Sequence, residues 1–363
     1  MTTTTAEVLT EVRGQVGCIT LNRPRALNAL SLDMVRALMA ALLAWQKDDK
    51  VLAVAIRGNG REGPFGAFCA GGDIRFLHAA GKDGNPQLED FFTEEYALNH
   101  LIHNFGKPYI AFMDGIVMGG GMGISQGGTQ RIVTERTKMA MPETIIGLFP
   151  DVGGGYFLSR CPGRVGEWLA LTGDTIGPAD AIAFGLADGH LPAAQQEAVW
   201  EGLGARDFAD GAAVEQWVAS HFTDPGPVQV TTRSEIDRYF ALDSATAIVQ
   251  ALEGASGEWE QQTAAALRKR SPLMLHVVLE QIRRARSMGL ADDLRMERDM
   301  VRHCFYLRPG QSETVEGIRA LAVDKDHSPK WNPARVEDVD PQLVQAFFQS
   351  PWPAHAHPLA ALD

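Results

Sequence analysis

The chain has 363 residues, of which 45% are hydrophobic and 21% charged, a composition typical of a globular protein with a sizeable core. Its formal net charge of -12 at pH 7 argues against nucleic acid or an anionic membrane surface as the main partner. The 4 cysteines are widely spaced and form no Cys-x-x-Cys pair, which favours a reducing, cytoplasmic location. We expect neither a signal peptide nor a membrane span.

The first half of the chain alternates strand-like and helix-like segments. Residues 16–21 predict a short strand, and residues 32–45 predict a helix with an apolar stripe and Ser31 as its N-cap. Residues 51–56 predict a buried strand that stops at the Gly-Asn-Gly of residues 58–60. This alternation predicts an α/β core.

Residues 109–118 predict another strand, interrupted near its middle, and the chain becomes helical and strand-poor after about residue 195. An amphipathic helix is predicted over residues 273–286. We therefore expect a catalytic core over residues 1–195, a helical region over residues 196–350 and a flexible tail over residues 351–363.

Two glycine-rich segments stand out, residues 68–74 (FCAGGDI) and residues 118–125 (MGGGMGIS). Small residues let a ligand approach the backbone closely, and N–H groups at a helix start attract developing negative charge. Two such segments could supply two donors to one carbonyl oxygen, and one such donor is worth about 10²–10³ in rate. Tight strand-to-helix packing at the glycines stays open as the alternative for each segment.

Two carboxylates, Glu143 and Asp151, stand 8 residues apart in a segment broken by Pro142, Gly147 and Pro150. These breakers exclude one continuous helix, so both acids are predicted on turns, where catalytic groups are common. Taken alone, such a pair is also typical of an exposed loop.

In combination, these motifs resemble the crotonase (enoyl-CoA hydratase/isomerase) superfamily. Residues 25–30 (RALNAL) also match that family's early CoA-contacting loop. Within the superfamily, the chain most resembles the 3-hydroxyisobutyryl-CoA hydrolases over residues 10–348. The segments that carry this closer resemblance are residues 94–96 (EEY), 141–155, 316–320 (EGIRA), 324–326 (DKD) and 331–333 (WNP).

The resemblance implies an α/β fold, a crotonase-like spiral of ββα units with a helical C-terminal region. It implies that the backbone N–H groups of Gly72 and Gly120 hold the thioester oxygen, and that Glu143 and Asp151 are catalytic. The residues that it assigns to substrate or CoA binding are Glu95, Ala26, Ala70, Asp73 and Ile74.

One departure separates two branches of the superfamily. Hydratases carry a second catalytic glutamate in the register Gly-Gly-Gly-x-Glu, and this chain has Gly123 there. Hydration of a double bond is helped by two carboxylates, so the sequence favours hydrolysis of a short β-hydroxyacyl-CoA instead. By resemblance the substrate is 3-hydroxyisobutyryl-CoA of valine catabolism. Glu143 would act as nucleophile or as general base, and these two roles stay open.

Three other interpretations stay open. They are an enoyl-CoA hydratase/isomerase, a non-catalytic acyl-CoA-binding protein, and a serine hydrolase that uses the Gly-x-Ser-x-Gly of residues 123–127. The last requires Ser125 on a strand-to-helix turn, whereas we expect it inside a helix. We expect no metal and no cofactor, because CoA is part of the substrate and thiolate is a good leaving group. Homo-oligomerisation is left open.

Overall fold

A computed structural model describes residues 6–363 of the chain. The strands in this range are β1 (Val8–Arg13), β2 (Val16–Leu21), β3 (Ala53–Gly60), β4 (Gly63–Pro64), β5 (Tyr109–Met113), β6 (Ile116–Met118), β7 (Gln130–Val133), β8 (Lys138–Ala140) and β9 (Gly189–His190). The α-helices are α1 (Leu32–Gln46), α2 (Ile74–Asp83), α3 (Gln87–His103), α4 (Gly120–Gln126), α5 (Gly154–Ser159), α6 (Val165–Thr172), α7 (Pro178–Ala183), α8 (Gln196–Gly204), α9 (Gly211–Ala219), α10 (Arg233–Tyr239), α11 (Ala245–Glu253), α12 (Glu258–Arg268), α13 (Pro272–Ala285), α14 (Leu290–Tyr306), α15 (Glu313–Ile318) and α16 (Pro341–Ala346). The predicted α/β fold class is confirmed.

The chain forms two compact units, each built from three separate segments. The first unit comprises the described residues up to Gly72, Ala97–Met139 and Ile176–Gln229, and the second comprises Asp73–Tyr96, Ala140–Thr175 and Val230–Asp363. The boundaries at residues 195 and 350 were drawn from composition, whereas these units are defined by contacts, so those boundaries stay predictions.

The first unit contains a sheet with strand order β1-β2-β3-β5-β7-β9, in which β1 is antiparallel to β2 and the following neighbours are parallel. Strand β2 is buried along its whole length, and β5 is buried at every residue, as expected for parallel strands covered on both faces. Phe65, Phe112 and Trp200 pack edge-on or tilted against one another in the core of this unit.

The predicted helix over residues 32–45 is α1. The Ser31 hydroxyl accepts a hydrogen bond from the Met34 N–H at 3.2 Å, so the predicted N-cap is confirmed. Its predicted apolar stripe is buried. Residues 16–21 form β2 as predicted, and residues 109–118 form β5 and β6 with the predicted interruption between them.

The strand predicted over residues 51–56 starts and ends later in the structure. Strand β3 begins at Ala53 and continues through the glycines to Gly60. The glycines do not stop the strand, because Asn59 and Gly60 pair with Pro64 and Gly63 of β4 in a short antiparallel hairpin. The hairpin satisfies the backbone there, so the turn comes after residue 60.

The second unit carries most of the helices, and no strand follows β9 in the described part of the chain. The helix predicted over residues 273–286 is α13, which has Ser271 as its N-cap. Between residues 351 and 363, Leu359 is buried, and the Leu359 carbonyl accepts a hydrogen bond from Arg295 at 3.2 Å. The tail's predicted flexibility remains a prediction. Across residues 6–363, no helix combines the length and apolarity that crossing a bilayer requires.

Candidate active site

The two glycine-rich segments come together in the first unit. The Met118 N–H donates to the Cys69 carbonyl at 3.0 Å. A Cβ placed on Gly71 would lie 3.4 Å from the Met118 carbonyl oxygen and 3.7 Å from the Gly120 nitrogen. The structure thus brings the segment that carries Gly72 beside the segment that carries Gly120, and glycine permits this close approach.

Helix α4 begins at Gly120, and the N–H groups of a helix's first turn have no intrahelical acceptor. Ser125 lies inside this helix and is fully buried, and its hydroxyl donates to the Gly121 carbonyl at 2.8 Å. It does not stand on the exposed strand-to-helix turn that a serine nucleophile requires, so the serine-hydrolase alternative is wrong. Gly123 is buried in the same helix.

The predicted CoA loop lies against the first glycine segment. Ala26 ends a short 3-10 helix, and the Ala70 N–H donates to the Leu27 carbonyl at 3.0 Å, so Ala26 and Ala70 lie on adjoining segments. Sequence reasoning missed the organising role of Asn28, whose backbone is left-handed (φ 56°). Its buried side chain donates to the Ala67 carbonyl at 2.9 Å. Asparagine tolerates this conformation, but the sequence does not show which asparagine uses it.

Asp73 and Ile74 belong to the second unit, at the start of α2. The Asp73 carboxylate accepts hydrogen bonds from the backbone N–H groups of Arg75 (3.2 Å) and Phe76 (3.3 Å), so its side chain caps the helix. The predicted role of Asp73 and Ile74 in binding substrate or CoA stays a prediction.

Three predicted site acids meet in the second unit. Glu95 lies on α3, Glu143 starts a 3-10 helix that ends before Gly147, and Asp151 lies on the turn before α5. The three residues are only 2%, 7% and 6% exposed respectively. The breakers interrupt the segment as predicted, and both acids are buried. The exposed-loop alternative is therefore excluded.

The pKa values of all three carboxyls are raised. Burial is the main cause for Glu143, with added repulsion from Asp151 and Glu95, and its pKa lies well above the ordinary value. Burial and Asp151 likewise raise the pKa of Glu95. Burial raises the pKa of Asp151 to about 7, although a hydrogen bond from the Tyr96 hydroxyl at 2.9 Å opposes this rise. The causes of these shifts include no cation, so the burial of the three carboxyls is not offset by a positive charge. Such perturbed pKa values are typical of functional sites.

The turn that carries Asp151 is held by side chains that sequence reasoning did not single out. Glu297 of α14 accepts hydrogen bonds from the N–H groups of Gly153 (2.7 Å) and Gly155 (2.9 Å). Gln281 of α13 donates to the Pro150 carbonyl at 2.7 Å. Glutamate and glutamine within charged helices carry no local signal for such a role.

Within residues 6–363, no three or more His, Cys, Asp or Glu side chains are grouped so as to hold a metal ion. His100 and His103 lie on α3, and the His100 ring is 3.2 Å from the Asn104 amide nitrogen.

The chain resembles known proteins along nearly its whole length. Residues 16–348 match the family model described as Enoyl-CoA hydratase/isomerase. The mitochondrial 3-hydroxyisobutyryl-CoA hydrolase of Danio rerio is 40% identical over 351 residues, which cover 95% of this chain and 90% of that protein. The 3-hydroxyisobutyryl-CoA hydrolase 1 of Arabidopsis thaliana is 38% identical over 353 residues, covering 95% and 92% respectively.

Two solved structures are similar in fold and sequence. A carnitinyl-CoA dehydratase from Mycobacterium thermoresistibile superposes with a TM-score of 0.89 at 38% identity, covering 99% of this chain and 100% of that chain. An enoyl-CoA hydratase from Rhodobacter sphaeroides 2.4.1 superposes with a TM-score of 0.85 at 37% identity, covering 95% and 98%. The relatives thus carry the names of two reaction types, thioester hydrolysis and the addition or removal of water.

Proposed function

Since the chain belongs to the enoyl-CoA hydratase/isomerase family, we propose that it is a thioester hydrolase that releases CoA from a short β-hydroxyacyl-CoA. The resemblance to the crotonase superfamily and the crotonase-like α/β fold are both confirmed by the comparisons. Relatives that are 38–40% identical are named 3-hydroxyisobutyryl-CoA hydrolase, so the proposed substrate is 3-hydroxyisobutyryl-CoA. The proposed products are 3-hydroxyisobutyrate and CoA, a step of valine degradation.

The observation that carries this proposal is the distribution of acids. Glu95, Glu143 and Asp151 are buried together in the second unit, whereas Gly123 stands where a hydratase has its second catalytic glutamate. Hydration of a double bond is helped by one carboxylate that takes a proton from the attacking water and by a second that delivers a proton to carbon, and Gly123 can do neither. The names of the solved structures favour hydration as the second candidate.

In the proposed reaction, water cleaves the carbon–sulfur bond of the thioester and yields a carboxylic acid and the CoA thiol. The Glu143 carboxylate either attacks the carbonyl carbon to form an anhydride, which water then opens, or takes a proton from the attacking water. The backbone N–H groups of Gly72 and Gly120 stabilise the oxygen that becomes negative in the tetrahedral intermediate. Asp151 orients Glu143, the water or the substrate hydroxyl, and Glu95 contacts the substrate.

The proposed function is tested by mixing the protein with 3-hydroxyisobutyryl-CoA and following free thiol with a disulfide reagent. Crotonyl-CoA hydration is followed in parallel by loss of enoyl absorbance. Thiol release without hydration supports the proposal, and hydration without thiol release favours the second candidate. Tight CoA-ester binding without either reaction would favour a non-catalytic acyl-CoA-binding protein.

Further parts of the proposal concern cofactors, partners and location. We expect full thiol release after dialysis against a chelator, because the proposed chemistry uses only carboxylates and backbone donors. We expect a small acyl-CoA as the partner, with no role for nucleic acid or membrane. The four cysteines are free and buried, as suits a reducing, cytoplasmic location, although the vertebrate relatives are named as mitochondrial. The mass of the protein in solution would decide whether it forms a homo-oligomer.

A further inference from the structure

We propose that Glu297 is a positioning residue for the hydrolysis, and that its carboxylate, assisted by Gln281, holds the turn that carries Asp151 in its reactive geometry. This inference rests on the proposed function, because it assigns Asp151 to the same reaction. It concerns residues of the second unit only.

Glu297 binds the backbone on the C-terminal side of Asp151. One carboxylate oxygen accepts from the Gly153 N–H at 2.7 Å, and the other accepts from the Gly155 N–H at 2.9 Å. Both oxygens of Glu297 are therefore engaged by the backbone within four residues of Asp151. An amide at this position would offer only one acceptor, and its NH₂ would face a backbone donor.

Gln281 binds the turn on the N-terminal side of Asp151. Its side-chain amide donates to the Pro150 carbonyl at 2.7 Å and to the Glu297 carboxylate at 3.2 Å. The backbone on both sides of Asp151 is thus tied to one buried pair of side chains. These ties fix the main chain, and Tyr96 separately binds the Asp151 carboxylate.

The backbone conformation of the turn explains why hydrogen bonds from other elements are needed to hold it. Val152, directly after Asp151, has φ 58°, a left-handed conformation that is costly for a β-branched residue. A relaxed turn would release this strain and move Asp151. Interactions from outside the turn must therefore hold it in place.

The burial of Glu297 also indicates a role beyond stability. Glu297 is 0% exposed and lies beside Asp293, which is also 0% exposed and accepts from the Tyr156 N–H at 2.8 Å. Burial and repulsion from Asp293 raise the pKa of Glu297 well above the ordinary value. Two carboxyls buried side by side are unfavourable, and apolar residues of similar volume would often be at least as stable.

The test is a double-mutant cycle with Glu297→Gln and Asp151→Asn, read as kcat and KM for thiol release. We expect Glu297→Gln to lower kcat by about 10- to 100-fold, because a displaced catalytic group reacts slowly, with KM changed by less than about threefold. In the Asp151→Asn background, the same substitution should lower kcat by less than about threefold, since the residue that it positions is already gone. Losses that multiply in the double variant would overturn the proposal.

The matched control is Asp299→Asn, a carboxylate-to-amide change on the same helix. Asp299 is 9% exposed, and its partners are the Ser350 hydroxyl, which donates to it at 2.8 Å, and the His357 ring at 3.3 Å rather than the backbone of the turn. We expect its kcat to stay within about twofold of wild type. An equal loss in Asp299→Asn would show that any buried acid on α14 matters, which overturns a specific role for Glu297.

A second readout does not depend on activity. Amide hydrogen exchange of the peptide that covers residues 150–156 should rise at least about tenfold in Glu297→Gln and stay unchanged in Asp299→Asn, because only the former removes an acceptor of the Gly153 and Gly155 N–H groups. Unchanged exchange overturns the proposal. A wild-type protein that releases no thiol overturns the proposed function before any variant is made, so the two failures are distinguishable.

If Glu297→Gln does not fold, Gln281→Met provides the second variant. It removes both donors of Gln281 while preserving its volume, and we expect kcat to fall about three- to tenfold, again only when Asp151 is present. A kcat equal to wild type in Gln281→Met, with a folded protein by circular dichroism, would overturn the assisting role.

Discussion

Two buried aspartates, one in each unit, show how the surroundings decide what a carboxylate can do. Asp114 in the first unit is 1% exposed, and Asp151 in the second unit is 6% exposed. Asp114 accepts hydrogen bonds from the Thr134 hydroxyl at 2.7 Å and from the Arg136 guanidinium at 3.0 Å. Asp151 has Tyr96 as its side-chain donor and two further acids in its cluster.

The pKa values move in opposite directions. Burial alone would raise the pKa of Asp114, but hydrogen bonds from Arg136, Thr134 and the Gly66 N–H outweigh it, and the pKa is lowered. Burial raises the pKa of Asp151 to about 7. A carboxylate that is held ionised stabilises the fold, whereas one that is poised to exchange a proton suits chemistry. Burial by itself therefore does not distinguish a structural acid from a catalytic one.

The largest expected effect on turnover comes from replacing Glu143, one of the three acids of the cluster. Glu143→Gln should lower kcat for thiol release by about 10²–10⁴-fold, because the amide can neither attack the thioester nor accept a proton. The control is Glu167→Gln, which replaces a fully buried acid that Arg286 binds at 2.7 Å, and its kcat should stay within about twofold. Near-wild-type turnover in Glu143→Gln would remove Glu143 from the mechanism.

Amide substitutions at Asp114 and at Glu143 should change the free energy of unfolding in opposite directions. Asp114→Asn should lower the free energy of unfolding by about 1–3 kcal/mol at pH 7, measured by urea denaturation, because Arg136 and the Gly66 N–H lose their charged acceptor. Since the pKa of Asp114 is lowered in the folded state, this cost should fade as the pH drops below about 4.

Glu143→Gln should show the reverse stability pattern. The folded-state pKa of Glu143 is raised, so the wild type loses stability as the pH rises above about 4, while the variant does not. The variant should therefore gain stability relative to wild type as the pH rises from 4 to 8, measured by urea denaturation at each pH. A constant difference across this range would contradict the raised pKa.

The pH dependence of turnover sharpens the same comparison. In the proposed mechanism Glu143 reacts in its ionised form, so kcat/KM should rise with pH through an apparent pKa above the ordinary glutamate value of 4.5. The midpoint belongs to the coupled cluster rather than to one residue. A profile that is flat from pH 5 to pH 8 would count against an ionised carboxylate with a raised pKa as the reactive group.

The smallest expected effect comes from Tyr96→Phe. Loss of the hydroxyl donor removes an interaction that lowers the pKa of Asp151, so the rising limb of the profile should move to higher pH. We expect kcat at pH 7 to fall by about three- to tenfold, as for the loss of one hydrogen bond to a charged group. Tyr239→Phe is the control, since its hydroxyl lies 3.5 Å from Glu260, outside the cluster. An unshifted pH profile of kcat/KM in Tyr96→Phe would show that the Tyr96 hydroxyl does not set the pKa of Asp151 during turnover.

Local patterns predicted the local parts of this structure. The apolar stripe and Ser31 identified α1, and the glycines and prolines correctly excluded a helix through Glu143 and Asp151. The predicted end of β3 was wrong because the strand's hairpin partner at Gly63 carries no strand-like sequence pattern.

The missing parts of the site are those made by contacts distant in sequence. Asp293 and Glu297 stand four residues apart on α14, a spacing that is equally common on exposed helices. Nothing in that helix indicates that its acids bind the backbone beside Asp151. The motif residues were found because they cluster in sequence. The side chains that bind the backbone beside them come from separate helices.

The hydrogen bond between Glu297 and Gly153 spans 144 positions of the chain. At ribosomal rates of about 5–20 residues per second, this glutamate is synthesised on the order of 10 s after the turn that it binds. A nascent or prematurely terminated chain can thus contain Glu143 and Asp151 without the residue that fixes the turn between Asp151 and α5. The order of biosynthesis therefore delays completion of this turn until most of the polypeptide has been made.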